Sequence, residues 1–299
     1  MHSGVARFVA PRLILFCLAL FTPSLVRAQA TVIEPCPGTA VPAKPTISST
    51  NSASVKADVK VTETLVDSSL TDDAAVESVI APYAEKVRNL TLVIGRLDSD
   101  LHKTTPGAGS IGGFVADGIR FAAERRLGKP VALAIMNAGG MRKNAIKAGE
   151  IRASDIFELL PFENTLIVAD LTGAQLAKLI PLGVRDALSG ARIQFKWNDQ
   201  NRAEFISGKL VDSEGRETDV EPDKVYTIAT IDYLYNLNSG SYATLREAKK
   251  ITRLEVTVRD AMMDYVKAQT AAGHSFPTRG KERFVQVGPD PTGPVVPYD

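Results

Sequence analysis

Histidine and cysteine are nearly missing from this sequence, and the shortage excludes a good deal. Its 299 residues hold three histidines and two cysteines. Metal-dependent hydrolysis needs several His and carboxylate ligands that close on one or two ions. No H-x-H or H-E-x-x-H spacing occurs, and His102 and His274 lie far apart in the sequence. No metal ligands are therefore expected on this chain. Cys17 lies in an apolar N-terminal run, so Cys36 has no intrachain partner once that run is removed. Net charge is also lacking. The 35 Lys and Arg against 34 Asp and Glu leave +1, so no overall field recruits nucleic acid or an acidic membrane, and an anion must be held by local placement. The apolar run Leu13 to Phe21 is too short to span a bilayer as an ordinary helix, and no later stretch is long enough, so no membrane insertion is expected.

What the chain has is 44% hydrophobic residues, ample for a core. Residues 1–28 carry Arg7 and Arg12, then the apolar run, then Val26-Arg27-Ala28. That is the pattern of an export signal cleaved near Ala28, and it predicts an exported, periplasmic or secreted protein. Residues 29–71 are a Pro/Ser/Thr-rich tether with no apolar period. The folded domain is expected over 72–288, with a flexible Pro-rich tail at 289–299.

Within the folded part, Val76, Val79, Ile80, Tyr83 and Val87 share one face of a helix over Asp72 to Arg88 that contains Pro82. Leu90 to Ile94 reads as a strand. Ser110 is expected to cap a helix with Ile111, Phe114, Val115, Gly118, Ile119 and Ala122 as its buried stripe. Two decoys sit there. Gly107 to Gly112 fits G-x-G-x-x-G, but a dinucleotide fingerprint must directly follow a strand. A nucleophile elbow on Ser110, with His274 as base, fails for the same reason.

Further on, Asp155 with Glu158, and Thr172 with Gln175, are capping patterns, the second opening a helix Gly173 to Ile180. Strands are expected at Thr165 to Asp170, at Arg192 to Trp197 with alternating burial, and at Val225 to Ile231; a hairpin turn is expected at Asp212 to Gly215. Asp232 to Tyr242 reads as a loop rich in aromatics and amides, a composition suited to stacking on a flat ligand. Thr257 caps a last helix. The fold class is thus α+β (mixed α/β), with strands covered by helices and an antiparallel hairpin region.

The most informative stretch is Val131 to Phe162. Val131 to Met136 is an unbroken apolar run of strand length that ends abruptly at Asn137-Ala138-Gly139-Gly140, followed by Met141 and Arg142. Two residues without a Cβ let backbone N–H groups approach whatever sits above the strand's end. An amide and a guanidinium on one turn can bond the heteroatoms of a planar or anionic ligand.

Asn137-Ala138-Gly139-Gly140-Met141-Arg142 resembles the N-G-G-G-I-R of the 5'-nucleotidase family's C-terminal domain, a family that includes UDP-sugar hydrolases and cyclic-nucleotide phosphodiesterases. Leu160-Pro161-Phe162-Glu163-Asn164-Thr165 is similar to its L-P-F-x-N-T, at the family's spacing, and Ile111 to Asp117 is similar to L-G-N-L-V-A-D. The resemblance implies a layered α-β-β-α sandwich that binds a nucleotide or nucleoside. It implies Asn137 and Arg142 as polar contacts, Phe162 and Tyr233 as the two faces that sandwich a base, and Gly139, Gly140 and Tyr242 as further substrate-binding residues. The family's G-G-D-G-[FY] corresponds to Asn238-Ser239-Gly240-Ser241-Tyr242, so the ribose-binding aspartate is missing; the acidic residue and arginine the family carries before its L-G-N fall near Ala108 and Thr105, which cannot replace them, and Lys103 is the candidate substitute. A tether stands where the family has a metallophosphatase domain. The resemblance therefore implies that the divalent metal pair and the catalysis belong to a separate partner chain.

Overall fold

The computed structural model describes Glu63, Asp67, residues 69–274, Phe276 and residues 283–297. The expected signal segment, both cysteines and most of the tether lie outside the described residues.

Helix α1 (Ala74–Leu90) leads into β1 (Val93–Leu97), β2 (Leu101–His102) and α2 (Gly109–Leu127). Then come β3 (Leu133–Met136), β4 (Ala145–Ile146), β5 (Gly149–Arg152), α3 (Ala153–Leu159), β6 (Thr165–Thr172) and α4 (Gly173–Leu176). The second half holds β7 (Ala187–Ser189), β8 (Ala191–Trp197), β9 (Ala203–Val211), β10 (Glu217–Thr218), β11 (Val225–Ile231), α5 (Asp232–Leu237), β12 (Lys250–Thr257), α6 (Val258–Ala271) and β13 (Phe284–Gln286). Three 3-10 segments, Ala138–Gly140, Ile180–Val184 and Gly240–Glu247, fill connections.

One sheet has five strands in the order β12-β6-β11-β3-β7, and a second has four in the order β10-β9-β8-β13; β1 pairs with β5 and β2 with β4. All four residues of β3 are buried. At roughly 1.5–3 kcal/mol for a fully buried Leu or Ile, Leu133 and Ile135 anchor the strand firmly. Helix α2 presses Ile111, Val115, Ile119 and Ala122 against β3, β7 and α6. This is the mixed α and β architecture expected from the sequence.

Several boundaries differ from expectation, each for a local reason. Helix α1 runs on to Leu90, so the strand begins at Val93. The apolar face of α1 meets no core: Val76, Val79, Ile80, Tyr83 and Val87 are all exposed. Helix α2 is capped at Ala108, in the left-handed region at φ 58°, while Ser110 Oγ accepts the His102 backbone N–H at 2.7 Å and so staples β2. In α3 Asp155 is the third helical residue, its carboxylate accepting the Arg152 N–H at 2.9 Å. The Thr172–Gln175 capping pair forms, at 2.8 and 3.3 Å, but opens only the single turn of α4. The stretch expected as a loop after β11 is α5 and a 3-10 segment. The tail does not hang loose over its described part, since Thr292 and Val296 donate backbone N–H groups to Asn201 Oδ1 and O at 3.0 and 3.1 Å.

Candidate functional site

Strand register decides what meets at the end of β3. Parallel pairing sets Ala134 opposite Ala229, and antiparallel pairing sets Leu166 opposite Ile231. The carboxyl ends of β3 and β11 and the amino end of β6 therefore share one end of the sheet. Asn137 follows β3, Tyr233 follows β11 and Phe162 precedes β6, so all three arrive there from separate parts of the chain.

At that end the chain turns through Ala138–Gly140. A Cβ on Gly140 would lie 2.6 Å from Met136 Cε and 3.4 Å from Asn137 Oδ1, so the glycine leaves room for the amide; Gly139 beside it is exposed. Asn137 Oδ1 is buried and has no hydrogen-bond partner. A buried acceptor left unpaired costs about 1–3 kcal/mol.

Antiparallel pairing also sets Met136 opposite Ala187, which brings Asp186 beside Asn137. Asp186 is 2% exposed. Its carboxylate accepts the Ala138 N–H at 3.0 Å, the Tyr242 hydroxyl at 2.8 Å and Arg185 Nη2 at 3.0 Å. Burial first, and the charge of Asp186 second, push the Tyr242 phenol up, so it remains a donor.

The Arg142 N–H donates to Leu159 O at 2.8 Å, which ties the turn to the end of α3 and hence to Leu160-Pro161-Phe162. Arg142 Nη1 reaches back to Gly139 O at 3.2 Å, and its guanidinium lies 5.7 Å from the centre of the Phe162 ring. Lys103 Nζ donates to Met141 O at 2.8 Å. Burial, and after it the charge of Arg142, pull the Lys103 pKa below its ordinary value. An anion between the two cations would relieve that repulsion.

The rings are placed by side chains behind them. Asp232 accepts from the Thr165 N–H at 3.1 Å and from the Thr165 hydroxyl at 2.7 Å, which clamps the start of α5 to the start of β6. Arg259, at the head of α6, pairs with Glu163 and lies 4.2 Å from the centre of the Phe157 ring. Phe162 and Tyr233 are each 47% exposed, so the site is an open ledge.

Asn137, Gly139, Gly140, Arg142, Phe162 and Tyr233 thus lie at one sheet end, joined by Lys103. Tyr242 differs from them. Its ring is buried and its hydroxyl is committed to Asp186, because the 3-10 segment turns it inward. It can support the Ala138 turn but offers no open face. Sequence reasoning missed Asp186 and Arg259, since neither sits in a motif and only strand register and a helix start bring them in. A cleft of about 810 Å3 opens elsewhere, between α2, α6 and the β8–β9 hairpin, and none of the site residues lines it. Among the described residues no group of three or more His, Cys, Asp or Glu is placed to hold a metal ion.

Comparison with known proteins agrees on the family. The family model "5'-nucleotidase, C-terminal domain" matches residues 90–247, which include the turn, Phe162, Tyr233 and Asp186. A probable 5'-nucleotidase of Treponema pallidum is 32% identical over 157 residues, 52% of this chain and 21% of that protein. The trifunctional nucleotide phosphoesterase protein YfkN of Bacillus subtilis is 28% identical over 148 residues, 46% of this chain and 10% of that one. The chain thus spans about a tenth to a fifth of these relatives. Among solved structures, a 5'-nucleotidase precursor from Thermus thermophilus superposes with a TM-score of 0.58 at 21% identity, over 74% of this chain and 43% of that one, which extends the agreement to the fold. With the matched region running through both the fold and the ledge, the chain belongs to the family of 5'-nucleotidase C-terminal domains.

Proposed function

We propose that this protein is an exported nucleotide-recognition domain, the substrate-binding part of a nucleotide phosphohydrolase whose metal-bearing catalytic domain is on another chain. The observation that carries the reading is Asn137 Oδ1, a buried acceptor with no partner at the end of a rigid strand. Such an atom is satisfied when a ligand brings a donor such as a base N–H. The rest follows in kind. Phe162 and Tyr233 offer faces on which a base stacks, and Lys103 and Arg142 offer two adjacent cations for a phosphate. Half-exposed rings also suit a ledge that a second body closes over, because stacking and charge contacts strengthen when water leaves.

The metal pair and the attack on phosphorus are assigned to that partner; this chain supplies binding and orientation. Phosphate release from nucleotides in the presence of divalent metal tests the division. The chain alone should release none, and adding an exported metallophosphatase from the same organism should produce turnover. Release by the chain alone would refute the split. A second reading, a nucleoside- or nucleotide-binding module without chemistry, rests on the missing aspartate at Gly240; it holds if calorimetry shows binding of AMP, adenosine or UDP-glucose while no such phosphatase raises turnover.

A further inference from the structure

Helix α1 is the part of the described domain that its own core does not use. Val76, Ile80, Tyr83, Val87 and Leu90 follow one another at steps of four, three, four and three residues, and Val79 widens the same stripe. Val76, Val79, Ile80, Tyr83 and Val87 are each between 50% and 67% exposed. A four-three alternation keeps one seam facing a partner helix along its length. Pro82 falls on the flank of the stripe, about 110° round the helix from its centre. An isolated helix of this length is marginal in water, so most of its stability must come from covering the stripe.

The charges select the occupant. Asp72, Asp73 and Glu77 stand at the amino end of α1 and Arg88 at its carboxyl end. Laid antiparallel on a second copy, the acidic end of one helix meets the basic end of the other, and the two helix dipoles oppose one another favourably. A parallel pair would instead place the acidic ends together. Two-fold symmetry then sets Ile80 against Tyr83 of the second copy, and Val76 against Val87. The two stripes, with exposed Leu92 and Val93 beside them, can bury on the order of 1,000 Å2 in total, the lower bound for specific pairing.

We infer that α1 is the dimerisation element of this protein, an antiparallel helix pair formed with a second copy of the same chain. The inference is independent of the ligand at the ledge. Sedimentation velocity over a concentration series should show a reversible monomer–dimer equilibrium. Ile80→Glu should hold the chain monomeric throughout, with a melting temperature close to that of the dilute natural monomer because α1 lies outside the core. The pairing is tested with Cys17 and Cys36 replaced by serine. Val76→Cys with Val87→Cys should give a covalent dimer on oxidation, while Val87→Cys alone should not. Within one helix those positions stand about 16 Å apart and cannot bond to each other. A chain monomeric at every concentration, a dimer that survives Ile80→Glu, or equal cross-linking by Val87→Cys alone would each overturn the inference. So would a stripe protected only when a metallophosphatase is added.

Discussion

At the scale of single residues, the ledge rests on buried groups behind it. Asp186 carries one charge and accepts from three residues, two of them on segments that are remote in sequence. Replacing it by alanine strands the Tyr242 hydroxyl and the Ala138 N–H in a buried place, and takes from Arg185 its carboxylate. At about 1–3 kcal/mol for each buried group left unpaired, and less for the half-exposed guanidinium, Asp186→Ala should lower unfolding free energy by about 3 kcal/mol in urea titration. Tyr242→Phe removes one donor and leaves the other two, so it should cost about 1 kcal/mol in the same measurement. Equal losses in the two variants would mean that Asp186 does not hold the turn independently of Tyr242.

At the scale of elements, close approach decides more than capping does. The chain enters α2 through Gly107, Ala108 and Gly109, all in the left-handed region. This coil sits directly on the first turn, where a Cβ on Gly112 would lie 2.0 Å from Gly107 O. Backbone cannot step aside as a side chain can. Further along the helix a Cβ on Gly118 would meet Met262 Sδ at 2.1 Å, the soft end of a flexible side chain on α6. Gly112→Ala should therefore lower the melting temperature by several degrees more than Gly118→Ala, even though both are glycines inside one helix and both gain helix propensity. The contrast marks how much of these elements was legible. Strands β8 and β11 and the Thr257 cap of α6 were readable because period and cap chemistry are local. The stripe on α1 was equally readable as a period, but period reveals an apolar face and not what covers it. The coil before α2 imitated a dinucleotide fingerprint, excluded because no strand leads directly into it, and read as a place for Ser110 to cap, because its real constraint is a contact between backbones.

At the scale of the whole molecule, the ledge is assembled from three strand ends that register brings to one edge of the five-stranded sheet. Motifs in the sequence pointed to Asn137, Arg142, Phe162 and Tyr233, whereas the supports, Asp186 and Arg259, come from segments that only the closed sheet brings near. Such a site reports on global stability. A ligand that bridges β3, β6 and β11 binds the folded chain only, so at one hundred times its dissociation constant it should add about 2.7 kcal/mol. For a domain of this size that is roughly a 5–10 °C rise in melting temperature. Scanning calorimetry with AMP should show the rise in the natural chain, and Phe162→Ala should largely remove it. The unliganded melting temperature of Phe162→Ala should hardly move, since the ring is half in solvent and contributes little to the core. Ile80→Glu should keep the whole ligand-induced rise, because α1 takes no part in the ledge. A rise that persists in Phe162→Ala would place nucleotide binding elsewhere on the molecule, and the cleft between α2 and α6 would then be the region to probe.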